Sequence, residues 1–140
     1  GLGEIGSMEG VIFNNWETVD TIPDGGKWSA FGLDFGFTND PTAIVRVVYQ
    51  GGDIWIKELC FEPGLTNPDI VAKLKSVGVN SLDDIIADSS EPKSIAEIRR
   101  GGFRACRGVK KGPDSINNGI DILKRYRIKI HKKRLFACVF

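Results

Sequence analysis

Trp28-Ser-Ala-Phe-Gly-Leu-Asp-Phe-Gly-Phe37 decides how this chain is read. Side chains along a strand point to opposite faces with period two. Phe31, Leu33, Phe35 and Phe37 therefore fall on one side, and Ala30, Gly32, Asp34 and Gly36 on the other. The bulky side makes core. The other side is bare backbone around one carboxylate, Asp34, and glycine within a strand often marks close approach of a ligand or another chain. A second carboxylate, Asp88, ends the apolar run Ile85-Ile86-Ala87. That run reads as a buried parallel strand whose carboxyl end points toward a crevice. Acids at the middle of one strand and the end of another suggest a divalent-metal site.

The bulk numbers are consistent with a packed domain. At 140 residues, 41% hydrophobic and 26% charged, the chain fits one globular domain with a core and is not disordered as a whole. No apolar run approaches the roughly 20 residues of a membrane span, and the opening Gly1-Leu-Gly-Glu-Ile-Gly-Ser7 lacks the basic and apolar parts of a signal peptide. The expectation is a soluble, intracellular protein with no membrane partner. Cys60, Cys106 and Cys138 are far apart, odd in number and without a CxxC pair, which argues for reduced buried thiols and against a zinc cluster or disulfide framework. The net charge of +1 conceals a division. Residues 1–90 hold 5 Lys and Arg against 14 Asp and Glu, a net of −9, whereas residues 91–140 hold 14 against 4, a net of +10. Such asymmetry points to a polyanion partner for the basic part, unless the charges only solvate helix faces. Arg99, Arg100, Arg104, Arg107, Lys110 and Lys111 are close enough in sequence to form one patch, and they follow Asp88 directly.

Further along, the pattern alternates strands and helices. Residues 1–27 show no sustained periodicity and read as an N-terminal arm or linker; the start at glycine fits a piece of something longer as well as a tag scar. After the Asp34 strand, Thr38-Asn39-Asp40-Pro41 makes a turn, Thr42 to Tyr49 reads as a β-branched strand, Gly51-Gly52 closes a hairpin, and Ile54 to Phe61 is the third strand of an antiparallel meander. Asn67 is placed as the cap of a helix with Pro68 at its first position, a face of Ile70, Val71, Leu74 and Val77, and Gly78 at its end. The Asp88 strand follows. Ser94-Ile-Ala-Glu97 reads as a capping box of a short helix stopping at Gly101-Gly102, and Phe103 to Val109 as the fifth strand. Asp114 or Ser115 caps a helix carrying Ile116, Gly119, Ile120 and Leu123, and Ile128 and Ile130 alternate in a last short strand.

Strand-strand-strand-helix-strand-helix-strand-helix, with acids on the first and fourth strands, is the order of a ribonuclease H-like domain: an α/β fold with a mixed five-stranded sheet, antiparallel meander plus parallel strands, flanked by helices. In that order the first and fourth strands are neighbours, so Asp34 and Asp88 meet. Gly32-Leu-Asp-Phe-Gly-Phe-Thr-Asn-Asp-Pro-Thr-Ala43, Ile85-Ile-Ala-Asp-Ser-Ser-Glu-Pro-Lys-Ser-Ile-Ala-Glu-Ile98 and Val109-Lys-Lys-Gly-Pro-Asp-Ser-Ile-Asn-Asn-Gly-Ile-Asp-Ile-Leu123 closely resemble, in that order, the nuclease domain of phage terminase large subunits. The resemblance runs from about Trp28 to about Lys133. It implies a metal-dependent endonuclease that cuts concatenated viral DNA during packaging, with double-stranded DNA as substrate. It also implies an ATPase domain, a small terminase subunit and a portal as partners, and the cytoplasm of a bacterial host as location, with phage or prophage origin. By position, Asp34 and Asp88 match two of the family's metal-binding aspartates. The family's third lies on a later helix, whereas the last acid here is Asp121. The expectation is therefore a domain over residues 28–140, truncated at its C-terminal end, with an incomplete site. No Walker A pattern is present, which assigns ATP hydrolysis to a preceding domain.

Phosphodiester hydrolysis needs an activated water, in-line geometry and neutralisation of the leaving oxygen, which two metals about 3.5 to 4 Å apart provide when bridging carboxylates hold them. Mg²⁺ or Mn²⁺ suits an all-oxygen site. Asp34 is assigned as bridging ligand and Asp88 as ligand to one metal. Asp40 is either a plain turn residue or a supporting group; Glu91 either a water-mediated metal contact or a helix-start acid placed for the dipole. Lys93 and Lys110 are candidates for phosphate contact, with solvation of the loop as the bland alternative for Lys93. His131 reads as ordinary surface, and Ser89-Ser90 as loop without a general base. Asp34-Phe-Gly-Phe-Thr-Asn39 also looks like the phosphate loop of actin-like and Hsp70-like ATPases, but those need two such domains. The stronger rival is a catalytically incomplete ribonuclease H-like module that binds DNA or a packaging partner without cutting.

Overall fold

The computed structural model describes residues 16–36, 40–109 and 127–132. In chain order the elements are β1 (Trp16–Val19), β2 (Trp28–Asp34), β3 (Pro41–Gln50), β4 (Asp53–Pro63), α1 (Asn67–Ser76), β5 (Ile85–Asp88), α2 (Pro92–Arg100), β6 (Cys106–Val109) and β7 (Arg127–His131). The strands form one sheet in the order β1-β7-β4-β3-β2-β5-β6. β2 with β5, β5 with β6, β4 with β7 and β1 with β7 are parallel. β2, β3 and β4 are neighbours joined by short connections, and a parallel crossover needs a dozen or more residues, so these pairs run antiparallel. Gly51 and Gly52, at φ 65° and 79°, make the two-residue turn between β3 and β4 that needs the left-handed region at both positions.

The α/β class and the mixed sheet agree with expectation, and among the described residues the sheet has seven strands rather than five. β1 lies inside the stretch expected to be an arm, 1–27, and pairs Trp16 with Ile128. Four residues are too few to show a period, and a partner more than a hundred positions away leaves no local trace. The helix expected after Asp114 lies outside the described residues.

Two compact units make up the chain. One comprises the described parts of Ala30–Val45 and Leu59–Lys110. Its core is a single cluster that includes Leu33 and Phe35 at the end of β2, Ile44 of β3, Ile70 and Leu74 of α1, Ile85 of β5, Ile98 of α2, and Phe103. Phe31 packs against it, so the bulky face of the Asp34 strand is core as its alternation predicts. The other unit comprises the described parts of Gly1–Ser29, Arg46–Glu58 and Lys111–Phe140, with Val48 and Ile128 buried. There Arg127 Nε reaches Asp53 Oδ1 at 2.8 Å, and Lys129 pairs with Glu17 and lies 5.9 Å from the centre of the Trp55 ring.

The helix ends explain how α1 and α2 are placed, and they move two of the expected caps. Thr66, not Asn67, caps α1: its hydroxyl accepts from Asp69 N while the Asp69 carboxylate accepts from Thr66 N, a reciprocal capping box. Asn67 instead donates its side-chain amide to Ser94 Oγ at 3.1 Å and Glu97 Oε2 at 2.8 Å. Ser94 and Glu97 are thereby used to tie α2 to the start of α1, and α2 begins earlier, at Pro92 after Glu91. Both helices finish alike. Gly78 N donates to Lys75 O and Val79 N to Leu74 O; Gly102 N donates to Arg99 O and Phe103 N to Ile98 O. Glycine at φ 90° and 118° allows this closing turn, and the following residue is driven into the core beside the last helical turn. Phe103, 2% exposed, is such a residue, which is why β6 starts at Cys106 rather than at Phe103.

Candidate functional site

The parallel pair β2–β5 sets the site. Its register runs Phe31 with Ile85, Gly32 with Ile86 and Leu33 with Ala87. One further step in the same register places Asp34 beside Asp88, each the last residue of its strand. Neighbouring strands lie about 4.8 Å apart. Because Leu33 and Ala87 are buried in the core, the alternation turns Asp34 and Asp88 to the opposite face. Asp34 is exposed and Asp88 half-buried. The Asp88 carboxylate is held where the strand ends: its Oδ1 accepts from Ser90 N at 3.0 Å, and its carbonyl accepts from Glu91 N at 3.3 Å. A short side chain fastened to its own turn has few rotamers left to lose on binding a cation.

Asp34 is positioned by the turn that follows it. Gly36 is buried, and a Cβ there would stand 2.1 Å from Asp40 O and 2.3 Å from the Pro41 carbonyl carbon. The returning backbone occupies that space, so this glycine serves the approach of the chain to itself, not of a ligand. Gly32 is similar, with Val45 Cγ2 2.9 Å from its missing Cβ. Ala30, on the same face, is 3% exposed. The expected bare surface around Asp34 is therefore filled by neighbouring chain, apart from the carboxylate. Thr42, fully buried, fastens the turn: its Oγ1 accepts from Gly36 N at 3.0 Å and its hydroxyl donates to Gly36 O at 3.4 Å. Cys60 Sγ approaches Thr42 O at 3.9 Å. In the sequence Thr42 reads only as a β-branched strand residue. The available signal was a hydroxyl directly after Pro41, ahead of the aliphatic run through Ile44, Val45, Val47 and Val48.

The remaining candidates are distributed around this pair. Asp40 is exposed immediately before β3. Glu91 is half-buried at the start of α2, with no side-chain capping bond. Lys93 is exposed in the first turn of α2. Lys110 and Lys111 lie outside the described residues, as does the Phe37-Thr-Asn39 segment. Arg99, Arg100 and Arg107 line a common groove; Arg104 does not line it. Behind that groove burial pushes the Cys106 thiol up to about 11, with Arg99 and Arg107 pulling it the other way. Cys60 and Cys106 are buried free thiols, as expected; Cys138 lies outside the described residues. His131 is held below the usual histidine range by partial burial and by Lys57 and Lys132, against an opposing pull from Asp20.

Two carboxylates at adjacent strand ends form an all-oxygen donor set that fits a hard divalent cation. Among the described residues no group of three or more His, Cys, Asp or Glu side chains is arranged to hold a metal ion. Mg²⁺ is commonly bound by one or two carboxylates, with waters and substrate phosphates completing its shell. No helix among the described residues is long and apolar enough to cross a membrane.

The chain is 33% identical over 129 residues to the terminase large subunit of Bacillus phage SPP1, covering 84% of this chain and 30% of that protein. It is 31% identical over 98 residues to the PBSX phage terminase large subunit of Bacillus subtilis strain 168, covering 69% of this chain and 22% of that one. The chain thus spans under a third of the length of these relatives. In structure it resembles the nuclease domain of the g2p large terminase of bacteriophage SPP1, solved with bound Mn, at a TM-score of 0.72 and 29% identity over 91% of this chain and 76% of that one. The family model of the terminase RNase H-like domain matches residues 34–138, beginning at the strand-end aspartate. The chain belongs to the terminase RNase H-like domain family.

Proposed function

We propose that this chain is the endonuclease domain of a phage or prophage DNA-packaging terminase, hydrolysing phosphodiester bonds of concatemeric double-stranded DNA with Mg²⁺ or Mn²⁺. The observation that supports it most is the β2–β5 register, which pairs Leu33 with Ala87, the residues just before Asp34 and Asp88. Asp34, exposed, is the bridging ligand in this reading, and Asp88, fastened by Ser90 N, the ligand to one metal. When bound, the divalent ions supply a nucleophilic water at neutral pH and neutralise charge on the leaving oxygen. The protein's part is to hold two like charges together. At about 4 Å and an effective dielectric of 20 they repel by about 4 kcal/mol, and the Thr42–Gly36 clasp and the Asp88 turn keep them from separating. Asp40 and Glu91 are supporting groups at the rim, and Lys93 and Lys110 are phosphate contacts. An ATPase domain, a small subunit and a portal are its partners, in the cytoplasm of a bacterial host.

Metal-dependent nicking of supercoiled plasmid tests the reading. Cutting in Mn²⁺ that is lost on Asp88→Ala and in chelator is the expected result; cutting unaffected by Asp88→Ala refutes it. A second reading has an observation in its favour, since only two of the described acids come together: the domain binds DNA or a packaging partner without cutting. Plasmid retardation without any nicking would select it.

A further inference from the structure

A groove of about 580 Å³ runs along α2, between that helix and β6. Ser89, the residue after Asp88, and Pro92 stand at one end, Arg99 and Arg100 at the other, and Arg107 and Gly108 along the wall. The helical face turned to it reads Pro92, Ile95, Ala96, Arg99 and Arg100, at spacings of three and four residues that share one side. Small side chains leave one end open, and guanidinium groups close the other. Among the described residues no acid lines the groove.

We propose that this groove, on the face of the sheet that α2 covers, seats the phosphate backbone of one strand of duplex DNA, with Arg99, Arg100 and Arg107 as the contacting groups. Nine residues of helix rise about 13 Å, the axial rise of about four base pairs of duplex. Arg99 makes no side-chain hydrogen bond among the described residues, and Arg100 only a long one of 3.4 Å to Ala96 O within its own helix. Arg107 Nη1 is anchored 2.7 Å from Asp84 Oδ1 and 3.2 Å from Ala105 O, which fixes the guanidinium at the wall while leaving it 54% exposed. Cations near the end of a helix also complement its dipole, but that accounts for Arg99 and Arg100 alone. Arg107 comes from a strand and converges on the same groove. Contacts of this kind position a duplex without reading its sequence.

The inference rests on the DNA reading above, and the two fail separately. Binding of a short labelled duplex to the full chain, measured by fluorescence anisotropy in chelator between about 50 and 200 mM salt, reports phosphate contacts through its salt slope. Arg99→Gln with Arg107→Gln is expected to reduce the slope by about 1.8, at about 0.9 per contact, with the melting curve retained. Lys75→Gln on α1 is expected to leave the slope unchanged. Because Arg107→Gln also breaks an ion pair, Asp84→Asn is the second variant: it frees Arg107 and is expected to bind duplex at least as tightly as wild type. An unchanged slope in the double arginine variant overturns the proposal. So does a loss in Asp84→Asn equal to that of Arg107→Gln, or equal binding of an acidic peptide of matched charge. Asp88→Asn is expected to keep the wild-type slope while losing any metal-dependent nicking, so a failure to cut leaves the groove result standing by itself.

Discussion

Removing one hydroxyl, that of Thr42, is expected to weaken both the fold and the metal response. Thr42→Val keeps the shape of the side chain and deletes only the oxygen that accepts from Gly36 N at 3.0 Å and donates to Gly36 O at 3.4 Å. Gly36 is buried, so no water readily replaces the lost partner. An unsatisfied buried donor costs about 1 to 3 kcal/mol, and the weakened carbonyl contact places the expected loss near 2 to 3 kcal/mol. For a chain of this size that corresponds to a fall in melting temperature of about 6 to 12 °C. Thr42→Ser is the comparison. It retains the hydroxyl and loses one buried methyl, at about 1 kcal/mol. Urea unfolding of the three proteins orders them wild type, Ser, Val. Gly36 is two residues from Asp34, so the valine variant is also expected to show a smaller rise in melting temperature with Mn²⁺ than the serine variant. A valine variant as stable as the serine one, with an equal metal response, would refute the assignment of Thr42 as the clasp.

Gly36→Ala is expected to be worse than Thr42→Val, at more than about 3 kcal/mol, because its Cβ would lie 2.1 Å from Asp40 O and the turn must open; urea unfolding measures it, and near-wild-type stability counts against the close approach. Mg²⁺ or Mn²⁺ at a hundred times its dissociation constant is expected to stabilise the wild type by about 2.7 kcal/mol, seen as a melting shift in calorimetry. Asp34→Asn is expected to reduce that shift, and identical shifts in both proteins speak against the site. The raised Cys106 thiol carries a pH signature. Burial raises its folded value from 9.0 to about 11, so between those values the folded state retains a proton that the unfolded state has lost. The resulting stability is present below about 9 and is lost as pH rises toward 11. Cys106→Ala is expected to show a shallower decline over that window in urea titrations, and parallel curves would contradict it.

Much of the site was legible because its signals are local. Alternation through Phe31, Leu33 and Phe35 assigns a buried face and leaves Asp34 on the other, and the run Ile85-Ile86-Ala87 marks a strand with an acid at its end. The glycines after α1 and α2 announce helix ends by their freedom at positive φ. Caps were less secure. Thr66 and Asn67 are both capping types, and only the reciprocal bond to Asp69 and the reach of Asn67 to Ser94 and Glu97 separate their roles. Other features had no local trace. β1 exists through pairing with β7, the clasp through a turn that brings Thr42 onto Gly36, and the groove through convergence of a helix and an edge strand on three arginines. Side-chain chemistry and strand period are properties of neighbours along the chain, so they determined the acids, the core faces and the family. Register and close approach are properties of segments far apart in sequence, so only the tertiary structure decided which residues of β2 and β5 stand opposite each other and that Gly36 makes room for backbone.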